Sequence, residues 1–61
     1  MATNGNQGNS NGQYAIGASY EFGTGVKKNY TQALYWYRKA AAQGHPGAEY
    51  KIEQLSKLGI V

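Results

Sequence analysis

The chain has no cysteine, no aspartate, a single proline, a single histidine and only three glutamates. Without cysteine there is no disulfide framework, no thiolate zinc site and no thiol nucleophile. His45 with Glu21, Glu49 and Glu53 offers too small a donor set for the roughly three or four ligands a metal site takes. No metal and no cofactor is therefore expected. No apolar run approaches the roughly 18–20 residues of a membrane span. The N-terminus lacks the cationic start and apolar stretch of a targeting signal. These absences predict a soluble protein of a reducing compartment, the cytoplasm.

Charge of one sign is in excess but thinly spread. Six Lys/Arg against three Glu give a net charge of +3 and a pI near 9.3. The basic residues fall as two pairs, Lys27-Lys28 and Arg38-Lys39, and two singles, Lys51 and Lys57, rather than as a stripe. A solvated basic surface explains that balance, and weak nucleic-acid binding is a lesser alternative.

What is present is concentrated in one part of the chain. Residues 1–12 carry no charge and no aromatic ring, and Asn and Gly supply seven of them. Such a segment buries too little apolar surface to offset the entropy of ordering, which predicts a disordered tail. All eight aromatics lie beyond it: Tyr14, Tyr20, Phe22, Tyr30, Tyr35, Trp36, Tyr37 and Tyr50. A folding unit this small usually needs a disulfide, a metal or a partner. Composition leaves the partner.

Three helices are predicted. Asn29 can cap a helix over Tyr30–Gln43, with Gln32 placed for the return contact of a capping box. Tyr30, Ala33, Leu34, Tyr37, Ala40 and Ala41 share one face, while Gln32, Tyr35, Arg38, Lys39 and Ala42 face solvent. Gly44 supplies the left-handed stop and Pro46 blocks continuation. A shorter helix over Gln13–Phe22, capped by Ser10 or Asn11, puts Ile16, Ser19 and Tyr20 on one side with Gln13, and Tyr14, Ala18 and Glu21 on the other. Gly17 in its interior costs about 1 kcal/mol relative to Ala, and a glycine kept there marks a close backbone approach. The third helix opens at His45-Pro46 and runs to about Lys57, burying Ala48, Ile52, Leu55 and Leu58. Short turns between them predict an all-α fold: an antiparallel helical hairpin with a third helix packed alongside.

At a shift of 36 the sequence meets itself: Tyr14 falls on Tyr50, Ile16 on Ile52, Phe22 on Leu58 and Gly23 on Gly59. That period belongs to helical-hairpin solenoids. The residues Ile16-Gly17, Tyr20, Gly23-x-Gly25-Val26, Asn29-Tyr30, Ala33, Trp36-Tyr37-Arg38-Lys39-Ala40-Ala41 and Gln43-Gly44-His45 resemble the Sel-one-like repeat, a relative of the tetratricopeptide repeat. The resemblance covers residues 13–45 as one unit. It implies an α-solenoid fragment and a non-catalytic module for protein–protein interaction, an adaptor or scaffold. In residues 46–61 the Gly and Tyr of the first helix are replaced by Glu53 and Ser56, so the third helix reads as a polar-faced cap, with a hairpin completed by a further segment as the alternative.

By the same resemblance the first helices of successive units line a concave groove. The stripes expected there are Tyr14, Ala18 and Glu21, then Tyr50, Gln54 and Lys57, with tyrosines as anchors for an extended peptide. Tyr35 with Arg38 and Lys39 forms a second surface, suited to a local cation–π contact of ~0.5 kcal/mol or to an acidic partner. The loop Gly23-Thr24-Gly25-Val26-Lys27-Lys28 lacks phosphate-loop spacing and reads as a turn. His45 reads as a helix-start residue, since no nucleophile accompanies it. No acid–base or nucleophile constellation can be assembled, so an enzyme is not expected. The partner is another protein, a peptide segment or a second copy, and the alternative role is a self-associating structural subunit.

Overall fold

The computed structural model describes residues 2–60, with side chains from residue 9 onward. It contains α1 (Ala2–Phe22), α2 (Tyr30–Ala42) and α3 (Pro46–Lys57), and no strand among the described residues. The central helix α2 packs against both others. Gln43 Nε2 donates to Gln13 Oε1 at 2.8 Å, and at the other end Asn29 N donates to the Tyr20 carbonyl at 2.9 Å. Those contacts fix α1 and α2 as antiparallel. Asn11 meets His45 while Glu21 meets Lys51, so α3 runs parallel to α1 and takes its place one repeat along.

The fold is organised around the apolar face of α2. Ala33, Leu34, Tyr37 and Ala40 are buried, joined by Ala48 and Leu55 of α3, and Tyr30 and Ala41 pack at their edge. Gln32, Tyr35, Arg38, Lys39 and Ala42 are exposed, as the helical period requires. The start of α2 is set by Asn29, whose Oδ1 accepts from Gln32 N at 3.1 Å. The return half of a capping box has nothing left to satisfy, because the Asn29 N–H is already bonded to Tyr20. Asn29→Ala is expected to cost about 1 kcal/mol in thermal unfolding, and Asn29→Asp close to none.

The end of α2 is a paired turn. His45 N donates to the Ala40 carbonyl at 3.2 Å and Gly44 N to that of Ala41 at 2.8 Å, with Gly44 at φ +87°. A residue with a Cβ is strained at that φ, so glycine makes the reversal into α3 cheap. The end of α3 repeats the pattern, with Ile60 N bonded to the Leu55 carbonyl at 3.0 Å. The turn brings Ile60 onto the core. Leu58, expected in the buried stripe, is instead 72% exposed. It occupies the C-cap position, and the residue of this end that packs against the core is Ile60.

Two expectations for α1 are corrected. The helix does not begin near residue 13 with Ser10 or Asn11 as caps; both lie inside it, and the helical backbone continues to Ala2. Ser10 is buried, and Asn11 and Gln13 bond to the α2–α3 turn, so tertiary contacts outweigh the poor helix propensity of residues 10–12. Met1 lies outside the described residues. The second correction is one of phase. Ser10, Tyr14, Gly17, Ala18 and Glu21 form the packed face with Tyr20 at its edge, while Ile16 is left exposed. A Cβ on Gly17 would stand 2.7 Å from Tyr37 Cδ1 and 3.1 Å from the Ala33 carbonyl oxygen. The missing side chain is what lets α2 approach, and the face centred on it is the one that packs.

Candidate protein-interaction surface

The six residues of the expected concave stripe divide into two sets. Tyr14, Ala18 and Glu21 are half-buried between helices rather than free. Tyr50 and Lys57 are exposed and Gln54 is half-exposed on α3. The shift of 36 explains the division. The three positions on α3 are register equivalents of those on α1, but only the α1 set is covered by α2.

Glu21 is the point where the three helices meet. Its Oε1 accepts from the Tyr37 hydroxyl at 2.5 Å and lies 3.4 Å from Lys51 Nζ. Lys51 also sits 5.1 Å from the centre of the Phe22 ring, capping an aromatic face that is otherwise exposed. Tyr37 is fully buried. Burial first, then the hydrogen bond to Glu21 and its charge, then the neighbouring Tyr14, hold its hydroxyl protonated far above the ordinary 10.0. Sequence reasoning does not single out Lys51. The parallel placement of α1 and α3, implied by the repeat, is the signal that pairs it with Glu21.

Tyr14 is held between two rings. Its centroid is 4.7 Å from His45, stacked at 14°, and 5.4 Å from Tyr37. His45 is the N-cap of α3: its Nδ1 accepts from Ala48 N at 3.1 Å. The ring proton must then sit on Nε2, where it donates to Asn11 Oδ1 at 3.0 Å. His45 thus ties three segments together in a structural role. His45→Ala is expected to lower stability by about 1 kcal/mol in urea unfolding, with His45→Asn restoring much of it through the cap alone.

The outer face of α2 carries the second surface. Tyr35 is exposed, with Lys39 Nζ 5.4 Å from its ring centre and Trp36 edge-on at 5.3 Å. The local cation–π contact expected from the spacing is formed. Arg38 stands beside them, exposed. Among the described residues no three His, Cys, Asp or Glu side chains are grouped to hold a metal, and no helix is long and apolar enough to cross a membrane.

Residues 10–45 match the Sel1 repeat. The chain belongs to the Sel1 repeat family. The matched segment is 36 residues long, the internal period found by sliding the sequence against itself. It contains α2 whole and the packed face of α1 from Ser10 to Glu21. Sel1 repeats are non-catalytic helical units that typically serve protein interaction. The chain is 44% identical over 54 residues to the ERAD-associated E3 ubiquitin-protein ligase component HRD3A of Arabidopsis thaliana, a match covering 87% of this chain and 8% of that protein. It is 40% identical over 48 residues to chitin synthase regulatory factor 3 of Schizosaccharomyces pombe, covering 79% of this chain and 5% of the relative. The chain therefore spans less than a tenth of either relative's length. No solved structure matches it.

Proposed function

We propose that this chain is a non-catalytic adaptor module: one Sel1 repeat closed by α3, whose exposed apolar side chains dock on another protein. The observation that carries this reading is the apolar surface left outside a core already formed. Phe22 at the end of α1, Tyr50 within α3 and Leu58 at its C-cap are between 60% and 72% exposed. A solenoid unit cannot bury its apolar face alone, and neighbours or partners supply the missing cover. The α3 half of the expected stripe, Tyr50, Gln54 and Lys57, is the accessible part. Tyr14, Ala18 and Glu21 act from beneath by holding the helices in place.

The cap reading of α3 has a steric basis. At the position equivalent to Gly17 it carries Glu53, exposed and 3.8 Å from Lys57 across one helical turn. A following helix could not approach this face as α2 approaches α1. A looser partner could still use Tyr50 as an anchor.

The test is affinity capture with the immobilised chain, a Tyr50→Ala/Leu58→Ala variant, and a Gly17→Leu variant in which the helices cannot close. Proteins retained by the first and lost from both variants are the expected result. Equal recovery by all three would overturn the adaptor reading.

A further inference from the structure

The outer face of α2 and the residue that follows the α3 turn enclose a groove of about 490 Å³. Its floor is apolar, from Leu34, Ala42 and Ile60, and Tyr35, Arg38 and Lys39 stand along it. We propose that this groove binds an acidic segment of a partner protein, seating an apolar side chain on the floor and carboxylates on Arg38 and Lys39. The proposal rests on the adaptor reading and names the chemistry of its partner.

Charge selects the occupant. Among the described residues no carboxylate lines the groove, and both of their ion pairs lie elsewhere, Glu21 with Lys51 and Glu53 with Lys57. Arg38 has no ion-pair partner among the described residues. Its planar guanidinium is suited to a two-pronged contact with a carboxylate. Lys39 already offsets the negative end of the α2 dipole and lies against the Tyr35 ring, so Arg38 is the principal anchor. A phosphate backbone fits less well. Lys27 and Lys28 sit in the α1–α2 connection and line no part of the groove, which leaves two cations over an apolar floor rather than a basic track.

The experiment titrates the full chain with an acetylated, amidated pentapeptide alternating glutamate with leucine and phenylalanine, and with a counterpart bearing lysine for glutamate. Amide chemical shifts report the site. Saturable changes at Leu34, Arg38, Ala42 and Ile60 with the acidic peptide alone are expected. Arg38→Glu/Lys39→Glu should weaken binding by about tenfold or more and favour the lysine peptide. Arg38→Gln is the milder variant, expected to give a smaller loss; circular dichroism verifies that each variant is folded. No saturable change, or changes confined to α1 and α3, would overturn the proposal. So would tighter binding of a single-stranded oligonucleotide at the same amides, or concentration-dependent shifts there without peptide, which would show a second copy in the groove. Protein capture that survives Arg38→Glu/Lys39→Glu while no peptide binds would overturn the groove and leave the adaptor reading standing. Loss of capture from the wild-type chain as well would overturn both.

Discussion

Tyr37→Ala should cost about 3–5 kcal/mol, the range for removing a large buried aromatic side chain, and leave the chain without its helical circular dichroism. A single core in a chain this small supplies no more than roughly that amount. The ring is fully buried, touches Tyr14, fills the space Gly17 leaves open and donates to Glu21. Tyr37→Phe separates the hydroxyl from the ring. It keeps the packing, loses one hydrogen bond to a carboxylate, and should cost about 1–2 kcal/mol at neutral pH. The hydroxyl also predicts a pH dependence. Its folded-state value lies above the ordinary 10.0, so the stability it contributes is complete below that value and is lost as the pH rises toward the folded one. Across that window the wild type should lose up to about 1.4 kcal/mol per pH unit through this group. The phenylalanine variant, less stable at neutral pH, should lack that component. Urea unfolding of both proteins from neutral to strongly alkaline pH checks it. Parallel stability curves would show that Tyr37 carries no such linkage.

Most of the α2 account is legible in the sequence because one helix states its own phase. Asn29, the apolar positions from Tyr30 to Ala41 and Gly44 give start, face and stop, and the structure differs at the Gln43 boundary and in the return contact of the capping box, whose place the Tyr20 carbonyl takes. His45 and Pro46 likewise place the start of α3. The phase of α1 is harder to see because its packed face is not greasy: Ser10, Tyr14, Gly17, Ala18 and Glu21. Counting apolar residues favours Tyr20, which does pack at the edge of that face, together with Ile16, which is exposed. The deciding signal is Gly17 itself. A glycine held for close approach must lie on the approached face, and Tyr14, Ala18 and Glu21 follow at helical spacing. That assignment moves Glu21 from the outside to the junction of three helices. The long extension of α1 cannot be read from composition, since Asn and Gly argue against it and the stabilising contacts of Asn11 and Gln13 come from residues 34 and 30 positions away. The groove beside Ile60 is also invisible in the sequence, because it depends on the turn that carries Ile60 back to the core.

Gly17→Ala tests the close approach directly, because local and tertiary effects have opposite signs. In a helix interior the change gains about 1 kcal/mol of propensity. Against this, the new methyl would stand 2.7 and 2.8 Å from two ring carbons of Tyr37 and 3.1 Å from the backbone oxygen of Ala33. Tyr37 cannot yield easily, being held by Glu21 and Tyr14, and the Ala33 carbonyl moves only with α2. Overpacking of this kind costs about 1–3 kcal/mol, and with two obstacles the upper part of that range applies. The expected net loss is about 2 kcal/mol in urea unfolding. Gly12 provides the internal control: it lies in the same helix, is exposed, and a Cβ added there would meet nothing within 4 Å. Gly12→Ala should therefore stabilise by about 0.5–1 kcal/mol. Opposite signs at two glycines of one helix can arise only if another element lies hard against the second. Two stabilising substitutions would place α2 farther from α1 than the Tyr37 contact allows, and the junction at Glu21 would fall with it.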